Sequence, residues 1–146
     1  MTTQFDMACA GRTLWQEARG EPAIGITAVA HTLVNRVNDG RWGKSLAEVC
    51  LFDKQFSGWN WNDPNFAAAC RLADDYPPLV ALTAYVTRAL QGEADPTEGA
   101  LFYYATYLEL SSPPHIPLWS RKMNFIGTFG HQKFFTDKPW KSSASV

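Results

Sequence analysis

From Ile26 to Val37 the chain repeats Ile26, Val29, Ala30, Leu33, Val34 and Val37 at i, i+3, i+4, i+7 spacing, which lines them along one stripe of an α-helix. No other segment has so clean a period, and a stripe of this length needs the rest of the chain to cover it. The spacing therefore predicts a core helix. Its other face carries Thr27, His31, Asn35 and Arg36, and Asp39-Gly40 closes it.

Four further helices are predicted around it. Met7, Leu14, Trp15 and Ala18 fall at helical spacing, and Gly20 and Pro22 end that run because proline cannot extend the hydrogen-bond ladder. Ser45-Leu46-Ala47-Glu48 reads as a capping box for a short helix reaching Cys50. Pro64 after Asp63 opens a helix striped by Phe66, Ala69, Cys70 and Ala73, and a helix after Pro77-Pro78 turns Leu79, Leu82, Val86, Ala89 and Leu90 inward before Gly92. Ala100 to Ala105 is an aromatic run read as a short strand. Phe52 to Asp63 and Ser111 to Pro117 read as loops, and Trp119 to Phe135 has no decisive period.

A length of 146 residues with 46% hydrophobic content suits one core, expected over residues 1–137 with a flexible tail at 138–146. The net charge of -1 gives no reason to expect nucleic acid or a basic membrane-binding face. Neither a signal peptide nor an apolar run of roughly 18 residues is visible, so the expectation is a protein made in the cytoplasm without stable membrane association. Cys9, Cys50 and Cys70 are odd in number and widely spaced, which points to buried free thiols rather than a disulfide framework or a paired metal site. Six Trp, several in polar, turn-rich surroundings, raise the question of sugar stacking.

The motifs of zinc peptidases, serine hydrolases and phosphate-binding loops are missing. His31, His115 and His131 could assemble a zinc site only with distant acids, and a Cys/His dyad has no support from spacing, so neither metal nor cofactor is expected. Glycosidic cleavage instead needs a carboxyl group that keeps its proton near neutral pH. Glu17 stands in the last turn of the first helix, where the negative end of the helix and partial burial beside Trp15 both favour the neutral acid. Glu21 competes with it, and can equally pair with Arg19 or cap the next helix.

The run Trp15-Gln16-Glu17-Ala18-Arg19-Gly20-Glu21-Pro22, followed by Leu33-Val34-Asn35-Arg36-Val37, then Gln55-Phe56-Ser57-Gly58-Trp59-Asn60, Asp95-Pro96-Thr97-Glu98-Gly99-Ala100 and Tyr103-Tyr104, resembles the catalytic domain of the SleB/CwlJ cell wall hydrolases over almost the whole chain. That family contains spore cortex-lytic enzymes and phage lysins. The resemblance implies a mainly α, lysozyme-like or lytic-transglycosylase-like single domain with a small β element. It also implies cleavage between N-acetylmuramic acid and N-acetylglucosamine in bacterial peptidoglycan glycan strands, with Glu17 as the acid. Relatives act as lytic transglycosylases, in which one carboxylate serves as acid and then base. Glu21 or Asp53 would supply the second carboxylate of a hydrolytic muramidase. Beside Glu17, the expected substrate-binding residues are Glu21, Asn35, Gln55, Phe56, Ser57, Trp59, Tyr103 and Tyr104, with Phe56, Trp59 and Trp61 as a stacking floor. If Tyr103 and Tyr104 lie on a strand, only one of them faces the acid.

Two departures stand out: Leu101-Phe102 replaces a Thr and His frequent in the family, and His131 is displaced from the terminal Ile-Gly-x-His-x-Phe pattern. The resulting expectation is a monomeric endolysin, made in the host cytoplasm and reaching the periplasmic wall after holin action. An N-acetylmuramoyl-L-alanine amidase and a sugar-binding module without catalysis are the rival readings.

Overall fold

In the computed structural model, which describes residues 1–52 and 55–140, five α-helices precede a three-stranded sheet. Helix α1 spans Gln4–Ala18, α2 Ala23–Asp39, α3 Leu46–Leu51, α4 Pro64–Cys70 and α5 Pro77–Leu90; strands β1 (Phe102–Ala105), β2 (Asn124–Phe129) and β3 (Gln132–Thr136) follow. Among the described residues no helix is long and apolar enough to cross a membrane.

Helix starts follow local chemistry. Thr3 Oγ1 accepts from the Asp6 N–H at 3.1 Å while Asp6 Oδ2 accepts from the Thr3 N–H at 2.8 Å, so two orphan donors of α1 are satisfied reciprocally. Ser45 Oγ accepts from Glu48 N at 3.1 Å to start α3, and Asp63 Oδ1 accepts from Asn65 N at 2.8 Å to start α4, where Pro64 loses no bond by lacking an N–H. The sequence places these starts well. It places the start of α1 too late, because Thr3 and Asp6 precede the first apolar stripe residue.

Asp6 also joins two helices: its Oδ1 accepts from the Ala47 N–H in α3 at 2.9 Å, and the residue is buried. The Thr3 N–H bond is the main reason its carboxyl is held below the usual carboxylate range, with the Ala47 bond adding to it against the opposing effect of burial. We expect Asp6→Ala to lower unfolding free energy by about 2 kcal/mol in a denaturant titration, from a lost cap and an orphaned N–H. A depressed folded-state value means that this stabilisation is present at neutral pH and disappears as pH falls through it.

Helix α2 is the centre of the core, with Ala28, Val29, Ala30 and Leu33 fully buried. Its polar face is not a solvent face. His31, Thr32 and Arg36 are buried too; His31 Nε2 lies 2.9 Å from Glu93 Oε1, and Thr32 Oγ1 donates to the Ala28 carbonyl at 3.0 Å. Helix α1 packs on α2, α3 and α5. It meets α5 closely at Gly11, where a Cβ would collide with the Thr83 hydroxyl.

The sheet order is β1-β3-β2, antiparallel throughout, with Tyr103 opposite Phe134. The expected strand at 100–105 is present as β1. The β2–β3 hairpin lies in the stretch without a period: a register shift between Phe125 and Gly127 breaks its alternation, and Gly130 turns it with φ of 63°.

Cys9 and Cys50 are buried free thiols, whereas Cys70 is exposed because α4 presents Ala69, not Cys70, to the interior. Of the tail expected at 138–146, Lys138 is tied to Asp39 at 2.7 Å, and 141–146 lie outside the described residues.

Candidate functional site

The last turn of α1, the 55–57 segment, β1 and the chain beyond it enclose a cleft of about 690 Å³. Glu17 lies in its wall and is the only carboxylate among its described lining residues. The Tyr103 hydroxyl donates to Glu17 Oε1 at 2.7 Å, and Gln132 Nε2 donates to the Glu17 main-chain carbonyl at 3.2 Å, one of the carbonyls that a helix end leaves without a partner. Burial is the largest influence on Glu17 and raises its pKa above the ordinary glutamate value; the Tyr103 bond pulls it down, Asp63 pushes it up and Arg36 pulls it down. Tyr103 is itself held well above the usual tyrosine range, chiefly by burial and then by Glu17, so its hydroxyl keeps the proton it donates. The neighbour that shapes Glu17 is therefore Tyr103; the Trp15 ring instead carries the Arg19 guanidinium at 3.9 Å.

The expected site residues divide. Gln55, Phe56, Ser57, Tyr103 and Tyr104 line the cleft with Glu17. Phe56 is buried, 5.4 Å from the Arg36 guanidinium. The two tyrosines diverge as strand alternation requires: the Tyr104 hydroxyl donates to Glu109 Oε2 at 3.3 Å and its ring stacks on Phe135.

Asn35, Trp59 and Glu21 are not in the cleft lining. Asn35 Nδ2 donates to Asp95 Oδ2 at 2.8 Å and to the Ala100 carbonyl at 3.0 Å, and so ties α2 to the turn before β1. Trp59 Nε1 donates to the buried Thr13 hydroxyl at 2.8 Å, which fixes the ring behind α1; Trp61 is 84% exposed and also outside the cleft. Glu21 accepts from the His131 N–H at 2.8 Å and lies 2.8 Å from His131 Nδ1, clamping the hairpin turn to the α1–α2 corner. A side chain at Gly130 would run into this clamp. Asp53 lies outside the described residues.

Arg36, Gln16, Trp119 and Gln132 line the cleft and were not singled out from the sequence. Arg36 carried a signal nonetheless: read as part of the polar face, it also falls seven residues after Val29 and three after Leu33, beside the buried stripe, where a cation has no place unless it is used. Further aromatic lining comes from Phe102, Tyr107 and Trp119. Among the described residues no cluster of His, Cys, Asp and Glu is placed to hold a metal ion.

Residues 20–135 match the family model described as Cell Wall Hydrolase. The chain belongs to the cell wall hydrolase family, of the SleB/CwlJ type. Two solved structures share the fold of this family member. One is the catalytic domain of the germination-specific lytic transglycosylase SleB from Bacillus anthracis, at 22% identity over 92% of this chain and 96% of that one, with a TM-score of 0.71. The other is the catalytic domain of the Bacillus cereus SleB protein, at 22% identity over 93% of each chain, with a TM-score of 0.72. No curated protein sequence matches. The mainly α, lysozyme-like fold with a small sheet is thereby shown. The family match begins at Gly20, three residues past Glu17.

Proposed function

We propose that the enzyme cleaves the glycosidic bond between N-acetylmuramic acid and N-acetylglucosamine in peptidoglycan as a lytic transglycosylase, with Glu17 as its acid and then its base. The observation that carries this is a half-buried carboxyl group, held by the Tyr103 hydroxyl, as the one carboxylate among the described lining residues of the cleft. Hydrolytic glycosidases use two carboxyl groups, about 5–5.5 Å apart when they retain configuration and about 6.5–9.5 Å apart when they invert. A transglycosylase needs one. Glu17 gives its proton to the leaving oxygen as the C1–O bond breaks. The muramic C6 hydroxyl then bonds to C1 and returns its proton to Glu17, leaving a 1,6-anhydro sugar and the acid restored.

The likeness to the Bacillus anthracis lytic transglycosylase SleB supports this reading, and Gln55, Ser57 and the aromatic lining fit sugar hydroxyls and ring faces. Mass spectrometry of digested sacculi tests it: anhydro-muropeptides are expected. Reducing-end saccharides would instead indicate a muramidase, free stem peptides an amidase, and an absence of products a binding module.

Tyr103→Phe removes the hydrogen bond that favours the carboxylate, so Glu17 is expected to hold its proton to higher pH. In a pH–rate profile the alkaline limb should move upward, and the rate at neutral pH should fall by roughly tenfold as the acid loses its fixed orientation.

We propose alongside this chemistry, as a separate reading, that the protein is a monomeric endolysin that meets the wall after holin action. Lysis on co-expression with a holin, and none when the enzyme is expressed alone, is the expected result.

A further inference from the structure

We propose that Arg36 is a positioning residue for this reaction: it pins the 55–57 segment to the residue that leads into the sheet and sets a fixed positive charge in the cleft that holds the Glu17–Tyr103 pair. The inference rests on the assignment of Glu17 as the acid. Arg36 Nε donates to the Leu101 carbonyl at 2.7 Å, just before β1, and Nη1 donates to Gln55 Oε1 at 3.0 Å. One side chain of α2 thus joins the 55–57 segment to the residue that leads into β1. Its guanidinium lies 4.4 Å from the Trp42 ring centre and 5.4 Å from those of Phe56 and Phe102, so it is packed on several sides by aromatic surface.

An interior guanidinium is costly to desolvate, and a Leu or Met would extend the stripe of α2 without that cost. Arg36 is 5% exposed, and its hydrogen bonds go to a carbonyl and a carboxamide; among the described residues no carboxylate bonds to it. Burial lowers its pKa to about 10, still well above neutrality, so the charge persists. In a dry surrounding such a charge acts strongly on its neighbours.

The charged and titratable groups acting on Glu17 among the described residues are Arg36 from α2, Tyr103 from β1 and Asp63 before α4, while β3 offers the neutral Gln132. Burial and Asp63 hold the proton on Glu17 for the first half of the reaction. The Tyr103 hydrogen bond opposes them, and Arg36 adds a smaller pull in the same direction, which favours the carboxylate when the C6 hydroxyl must lose its proton. A residue that only filled space would not link the 55–57 segment, the lead into β1 and the acid in this way.

The test compares Arg36→Met, Arg36→Gln and Gln55→Ala by kcat and KM against pH on solubilised glycan strands, with thermal melting as the check on folding. Both neutral Arg36 variants are expected to move the alkaline limb to higher pH and to raise KM by roughly five- to tenfold. Gln55→Ala is expected to raise KM alike while leaving the limb in its wild-type position, since it removes the anchor and keeps the charge. A folded Arg36 variant with an unmoved limb overturns the proposal, as does a Gln55→Ala limb displaced as far as that of Arg36→Met. Failure of both neutral variants to fold would assign Arg36 to the core instead. Were Glu17→Gln fully active, the acid itself would be misassigned; an inactive Glu17→Gln together with an unmoved Arg36→Met limb sinks only the role of Arg36.

Discussion

Glu17→Gln is expected to slow wall cleavage by about 10²–10⁴-fold, the range supplied by a positioned general acid. Glutamine keeps the shape of the side chain and an oxygen for the Tyr103 hydroxyl, but has no proton to give at the leaving oxygen. The loss should therefore appear in kcat, with binding of glycan strands retained. Stability should respond in the opposite direction. A carboxyl whose folded-state pKa is raised stabilises the fold fully at low pH, and that contribution is lost as pH rises through the folded value, because a charge must then be kept in a buried place. The neutral amide is free of that burden, so the melting temperature at neutral pH should equal or exceed that of the wild type. A variant that lysed walls at the wild-type rate, or lost activity only through unfolding, would remove Glu17 from the mechanism.

The largest expected effect on stability is at Phe134. Its side chain is fully buried in β3, 5.4 Å from the Tyr103 ring and 5.7 Å from that of Phe129. Phe134→Ala should cost about 3–5 kcal/mol through lost transfer energy and the cavity left behind. Against a typical total of about 5–15 kcal/mol this is a large share, and at roughly 2–4 °C per kcal/mol the melting temperature should fall by about 10 °C. Because Tyr103 packs on this ring, activity measured well below the transition should fall too. Calorimetry and a rate assay on one preparation separate the two losses. Phe134→Leu, which fills most of the space, should recover most of the stability.

The helices were legible because their signals are local. Ser45, Asp63 and the proline pairs act within one turn, and the Ile26 to Val37 stripe needs only its own spacing. The hairpin after Met123 was not, since a bulge breaks the alternation of β2 and the Gly130-His131 turn is not among the strong hairpin signatures. The site divides along the same line. The helix-end position of Glu17 was only a hint, and the resemblance to the SleB/CwlJ hydrolases named it as the acid; its partner Tyr103 is 86 residues away and no local rule joins them. Asn35 looked suited to sugar contacts by residue type, yet its amide belongs to Asp95 and Ala100. Trp59 likewise has a polar handle that a buried threonine claims first. Side chains able to bind sugars are equally able to bind backbone, and only the folded geometry says which they do.

The three cysteines differ enough in their surroundings to make the protein selectively taggable. Burial pushes the Cys50 thiol up to about 12 and raises that of Cys9, which leaves both poor nucleophiles at neutral pH. Cys70 stands exposed at the end of α4, the helix whose opposite end contributes Asn65 to the cleft. A maleimide dye should therefore attach at a single position without mutagenesis, giving a fluorescent reporter one short helix away from the cleft.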